Sequence, residues 1–200
     1  MFQLPPATAI NKPLYKKAVF EKFNLKAAER DRFDADISRM TLVARVSTAT
    51  VPALTKGKEI EGFYVLQVAL KRKDYDSKNI LLLQKLIPQK IVFALQHDDQ
   101  TQFCIFHTRL QQSWWISTTE ATITLRGLTL DDVWNNIVAD IGGLDAQAEE
   151  SIEEQIIHRE QREKLLRQIE SLEKRCRTEK QTRKKFELHQ QITKLKEKLR

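Results

Sequence analysis

Ile60-Glu61-Gly62-Phe63-Tyr64-Val65-Leu66-Gln67-Val68-Ala69-Leu70 is the stretch that decides the fold. At the two-residue period of a strand, Tyr64, Leu66, Val68 and Leu70 share one face, and Phe63, Val65 and Ala69 share the other. Apolar residues on both faces mark a central strand that is covered on both sides. Helices must therefore pack against a sheet. On the C-terminal side, Asp76 or Ser77 is placed to cap a helix carrying Ile80, Leu83 and Ile87, and Pro88 ends it. Ile91-Val92-Phe93-Ala94-Leu95 then forms a buried strand. Asp98-Asp99-Gln100 makes a hairpin turn, and Phe103 to His107 returns as its partner.

The same pattern continues outward. Met40, Leu42, Ala44 and Val46 alternate with Arg39, Thr41, Val43 and Arg45, which predicts a half-exposed strand. Thr48 to Lys58 contains Pro52 and Gly57 and is expected to be loop. Nearer the N-terminus, Pro13 is placed in the first turn of a helix with Val19, Phe20, Phe23 and Leu25 on its apolar face. Trp114-Trp115-Ile116 and Ile123 to Leu125 predict two short strands. Thr129 and Asp132 form a capping box for a helix that buries Leu130, Val133, Trp134, Ile137, Val138 and Ile141. Gly142-Gly143 stops it.

Beyond Gly143 there is neither glycine nor proline. Leu165, Ile169, Leu172 and Cys176 set one apolar seam, and Leu188, Ile192, Leu195 and Leu199 set another. Extending the first by sevens lands on Glu179 and Arg183, so the two seams are out of phase. An antiparallel hairpin with its turn near Thr178 to Thr182 accommodates both, with a first arm from Asp145 to Cys176. The expected fold is α+β, a mixed β-sheet with flanking helices followed by a C-terminal helical hairpin of coiled-coil character. The domain reading is a globular part at 1–143 and a helical tail at 144–200.

With 200 residues, 41% hydrophobic, the chain can bury a real core. Two cysteines, Cys104 and Cys176, exclude a disulfide-stapled scaffold. No segment approaches the roughly 20 apolar residues of a membrane span. The first residues lack a basic region followed by an apolar one, so no signal peptide is expected, and the expected compartment is the cytoplasm. The net charge of +7 favours an anionic partner.

The charge is concentrated. Lys174, Arg175, Arg177, Lys180, Arg183, Lys184 and Lys185 are opposed locally by Glu179 alone. A hairpin puts this cluster at its tip, where it is a candidate contact for phosphate backbone or an acidic protein surface. Lys71-Arg72-Lys73, at a strand end, is a second candidate patch, and Trp114-Trp115 is a candidate base-stacking pair set against ordinary core packing.

Catalytic chemistry has no signature. Cys104 and His107, three apart on a strand, point to opposite faces and do not make a metal site. There is no nucleophile elbow and no phosphate-binding loop. A metal-dependent nuclease needs paired carboxylates, and the central strand offers Gln67, Ala69 and Lys71 where an acid and a lysine would stand. Asp98-Asp99 suits a turn, and Asp131-Asp132 suits a helix N-terminus. No catalytic residue, metal or cofactor is expected.

Several short stretches carry a family likeness. They are Leu4-Pro5 with Asn11-Lys12-Pro13 and Lys16-Lys17, Glu59-Ile60-Glu61 leading into Val65–Leu70, and Leu86-Ile87-Pro88 followed by Ile91–Leu95. To these the tail adds Glu179-Lys180-Gln181 and Arg183-Lys184-Lys185-Phe186-Glu187-Leu188. On these the chain resembles a family of bacterial proteins carrying an uncharacterised domain of about this length. His189 stands where the family tail has Asn. The resemblance implies a companion of helicases and DNA methyltransferases in restriction-like or phage-defence loci, and carries no catalytic residue with it. It implies protein subunits of that kind as partners, with DNA as a further one. The expected function is a non-enzymatic accessory subunit that binds partners through its helical tail. The alternatives are a sequence-nonspecific DNA-binding module and a degenerate nuclease-like domain.

Overall fold

The computed structural model describes residues 2–199. It divides into two compact units, Met1–Gln147 and Ala148–Arg200.

The first unit is built on a mixed sheet with strand order β1-β2-β3-β4-β5-β6 and β7 paired to β5. The strands are β1 (Ala9–Leu14), β2 (Ile37–Ser47), β3 (Gly62–Leu70), β4 (Lys90–His97), β5 (Gln100–His107), β6 (Arg109–Gln112) and β7 (Ile116–Ser117). β1-β2-β3 is an antiparallel meander, and β4-β5-β6 is another. β3 and β4 are parallel and join the two meanders, with Tyr64 beside Ile91 and Val68 beside Leu95. A parallel pair needs a crossover, and helix α3 (Ser77–Leu86) supplies it. Asp76 caps that helix by accepting from the Lys78 N–H at 2.9 Å.

Both faces of β3 are buried, as its sequence requires. On one face, Leu66, Val68 and Leu70 join Ile91, Phe93 and Leu95 in a single cluster with Val19, Phe33, Ile80 and Leu83. Those last residues come from α1 (Lys16–Lys22), α2 (Ala27–Asp36) and α3. On the other face, Phe63 meets Trp134 of α4 (Leu130–Gly142), with ring centroids 5.6 Å apart. The Thr129 capping box and the left-handed Gly143 bound α4 as expected, and Gly143 has φ +59°.

Four expectations are corrected. Pro13 lies in β1, at the edge of the sheet, where a residue without an N–H is tolerated; the helix begins three residues later, at Lys16. Helix α2 was not foreseen, because Ala27–Asp36 is mostly polar and shows no apolar stripe beyond Phe33. Ile123 to Leu125 is irregular rather than strand, and Trp114 falls in the gap between β6 and β7. The first tail helix starts at Ile152, not Asp145, because Ser151 and Glu154 form a capping box there.

The second unit is a helical hairpin of α5 (Ile152–Thr178) and α6 (Thr182–Glu197). Ile169 and Cys176 of α5 meet Leu188 and Ile192 of α6, with Leu172, Leu195 and Leu199 packed alongside. The two seams thus share one interface within the chain. Among the described residues, no helix is long and apolar enough to cross a membrane.

Candidate anion-contact site at the hairpin tip

Only Glu179-Lys180-Gln181 separates α5 from α6. That short turn brings the end of one basic run against the start of the next. Lys174, Arg175, Arg177, Lys180, Arg183, Lys184 and Lys185 are all exposed. Two of them have ion pairs along their own helix: Lys174 with Glu170 at 2.8 Å and Arg183 with Glu187 at 3.4 Å. Among the described residues, no carboxylate bridges Arg175, Arg177, Lys180, Lys184 or Lys185.

The two arms place their cations in opposite electrostatic settings. Arg175 and Arg177 occupy the last turn of α5, where the helix dipole favours positive charge. Arg183, Lys184 and Lys185 crowd the first turn of α6, where the dipole disfavours it. That turn holds no acidic residue, and the N-cap residue Gln181 makes no side-chain cap. First-turn N–H groups and the cations around them both favour an anion. Glu179 does not supply it. Its carboxylate accepts from the Gln181 N–H at 2.9 Å, and that bond, with the Lys180 N–H and the charges of Lys184 and Arg175, holds its pKa below the usual carboxylate value.

Two neighbours of the cluster, Phe186 and His189, carry no charge-based signal in the sequence. Phe186 projects from the basic run with 64% of its surface exposed. Its position between Lys185 and Glu187 shows nothing unusual until the apolar face of α6 is fixed by Leu188 and Ile192. His189 lines a shallow groove of about 300 Å³ together with Cys176, Arg177, Lys185 and Lys196.

Lys71-Arg72-Lys73 is placed differently. Arg72 turns onto Asp36, with Nε 2.6 Å and Nη2 2.5 Å from Oδ1. Asp36 is buried, and its Oδ2 accepts from the Asp76 N–H and the Asn79 side chain, each at 2.8 Å. Arg72 is therefore a partner of the fold. Lys73 donates to Gln100 and lies 5.6 Å from the centre of the Trp115 ring. Lys71 keeps an exposed side chain, while its N–H donates to the Asp36 carbonyl. Of the tryptophan pair, Trp115 packs against the core cluster and Trp114 is 90% exposed.

The remaining candidates settle into structural places. Burial pushes the Cys104 thiol up to about 12, and Tyr75 lies beside it at 3.6 Å. Asp98 takes a left-handed turn conformation at φ 50°. Asp131 holds a loop, accepting from the N–H groups of Lys58 at 2.6 Å and Ile60 at 2.9 Å. Among the described residues, no three His, Cys, Asp or Glu side chains gather as a metal site.

No curated protein and no solved structure matches the chain. A family model does, over residues 2–199, nearly the whole length. The chain belongs to the family described as a domain of unknown function, DUF4391.

Proposed function

We propose that this protein is a non-enzymatic accessory subunit that docks through its hairpin tip onto the phosphate backbone of nucleic acid. The observation that carries this reading is the set of unbridged cations, Arg175, Arg177, Lys180, Lys184 and Lys185, gathered around the uncapped start of α6. Crowded cations repel one another, and an anionic surface removes that repulsion while releasing its own counterions. No base-reading element accompanies them, so the contact is sequence-independent.

The wider setting is part of the same proposal. In it, the subunit works in the cytoplasm with a helicase and a DNA methyltransferase, in restriction or phage defence. That setting rests on the family resemblance alone. A second reading has its own observation. Phe186, exposed among the cations, suits the anchor of a protein interface with a charged rim, and the docked surface is then an acidic protein partner. The nuclease alternative finds no support in the sheet, since none of its strands carries Asp or Glu.

The test replaces Arg175, Arg177, Lys184 and Lys185 with Gln and measures DNA affinity at two salt concentrations. Each phosphate contact contributes about 0.9 to the slope of log affinity against log salt. The variant should lose affinity and flatten the slope by up to about 3.6, four contacts at about 0.9 each, with its helical circular dichroism intact. Unchanged affinity and slope would overturn the phosphate reading. Weak DNA binding with a salt-sensitive pull-down of a partner protein, lost in the same variant, would establish the second reading.

A further inference from the structure

Helix α6 fixes its own orientation by burying Leu188 and Ile192 against α5. Phe186 stands two residues before Leu188 and six before Ile192, so a period of 3.6 residues turns it away from that interface. Its exposed ring therefore takes no part in the hairpin's core. His189, three residues on, is its neighbour on the helix surface and is exposed as well.

His189 continues that surface into the groove of about 300 Å³ between the two helices. The groove carries Arg177 from α5 and Lys185 from α6. Among the described residues, neither is bridged by a carboxylate, and the groove's one carboxylate, Glu173, pairs with Lys196 at 2.8 Å. The charge of Arg177 and Lys185 is thus left uncompensated, beside an imidazole and an exposed aromatic ring.

These features select among anionic strands. A duplex can lay its backbone on the outward cations of the tip, but its bases are stacked on one another and offer Phe186 no face. It is also too wide to lie in a groove between helices whose axes are about 8–10 Å apart. A single strand meets both demands, because its backbone follows a positively charged groove and its unstacked bases lie on exposed aromatic rings. We infer that the hairpin tip binds single-stranded nucleic acid, with phosphates along Arg177 and Lys185 and a base stacked on Phe186. This rests on the phosphate reading above and narrows it from nucleic acid at large to single strands. Every base has a face to stack, so the contact remains independent of sequence.

The experiment measures fluorescence anisotropy of a labelled oligothymidylate, an oligouridylate, an abasic strand and a duplex, all of one length, with the full-length protein. The abasic strand keeps the phosphates and has no rings. The wild type should bind at least one base-bearing strand about tenfold more tightly than the abasic strand, within the range that stacking one base supplies. The tighter of the two base-bearing strands tells DNA from RNA. Phe186→Ala should remove the difference while leaving abasic binding, duplex binding and the salt slope unchanged, and Phe186→Tyr should keep it. Both variants should retain the helical circular dichroism of the wild type, because the ring lies outside the core. Arg177→Gln with Lys185→Gln should weaken abasic and base-bearing strands alike. Equal binding of abasic and base-bearing strands by the wild type, or a difference that survives Phe186→Ala, would overturn the inference and leave the phosphate reading standing. A partner-protein pull-down lost in Phe186→Ala alongside that equal binding would assign the ring to a protein surface instead. Absence of salt-dependent binding by every probe would overturn both.

Discussion

Asp36 shows how much of this fold rests on single side chains. It is the last residue of α2, just before β2, and its buried carboxylate gathers Arg72 and Asp76 from the β3–α3 connection and Asn79 from the first turn of α3. Removing a partnered buried charge leaves its partners unsatisfied. Asp36→Ala should therefore cost about 3–5 kcal/mol, measured by urea unfolding, and Arg72→Ala should also destabilise. Cys104 makes a pH prediction. Its thiol titrates near 12 when folded, against an ordinary value of 9.0. Between those values the unfolded chain releases this proton and the folded chain keeps it, so stability falls as pH rises above 9.0. The raised Tyr75 hydroxyl acts in the same direction at higher pH. Urea midpoints at pH 8 and pH 10 should show the loss, and Cys104→Ala should flatten it. Trp134 is fully packed, yet its indole N–H has no acceptor among the described residues. Trp134→Phe should therefore be far milder than Trp134→Ala, for which roughly 3–5 kcal/mol is expected.

Among the elements, those with an undisturbed period were legible in sequence. β3 announces itself because both faces are apolar, and α4 because its capping box, apolar stripe and terminal glycine agree. The hairpin was legible from two seams that cannot share one straight helix. α2 was not, because Ala27–Asp36 shows no apolar stripe beyond Phe33; the start of α5 could have been read, because Ser151 and Glu154 have the spacing of a capping box. Pro13 was misplaced because helix starts and sheet edges both tolerate a missing N–H, and sequence alone does not distinguish them. The basic tip could be found from charge, whereas the fate of Arg72 could not. Its partner lies 36 positions away, and only the β2–β3 pairing brings them together. Within the hairpin, Ile192 is buried against α5. Ile192→Ala should cost about 2–5 kcal/mol of the hairpin's own stability, seen as lost helical signal and faster amide exchange in α5 and α6, with the sheet unaffected.

The molecule is two units, and each holds its own buried cluster. A chain ending at Gln147 should melt as one cooperative transition in calorimetry, whereas a broad or absent transition would show that the sheet depends on the tail. Within the first unit, the sheet is two antiparallel meanders joined along one parallel seam, β3 beside β4. In the second meander, β4, β5 and β6 are joined by connections of one or two residues and can associate early. The rest of the sheet cannot, because residues 15–36, with α1 and α2, separate β1 from β2, and residues 71–89, with α3, separate β3 from β4. Closing those long connections is the entropically slow part of assembly. Truncations in α3 that touch the seam, such as Ile80→Val, should therefore slow refolding while leaving the unfolding rate almost unchanged, and an unchanged refolding rate would show that the seam closes after the limiting step. A half-assembled chain would then hold a finished β4-β5-β6 ribbon whose bare β4 edge waits for the strand that it is built to receive.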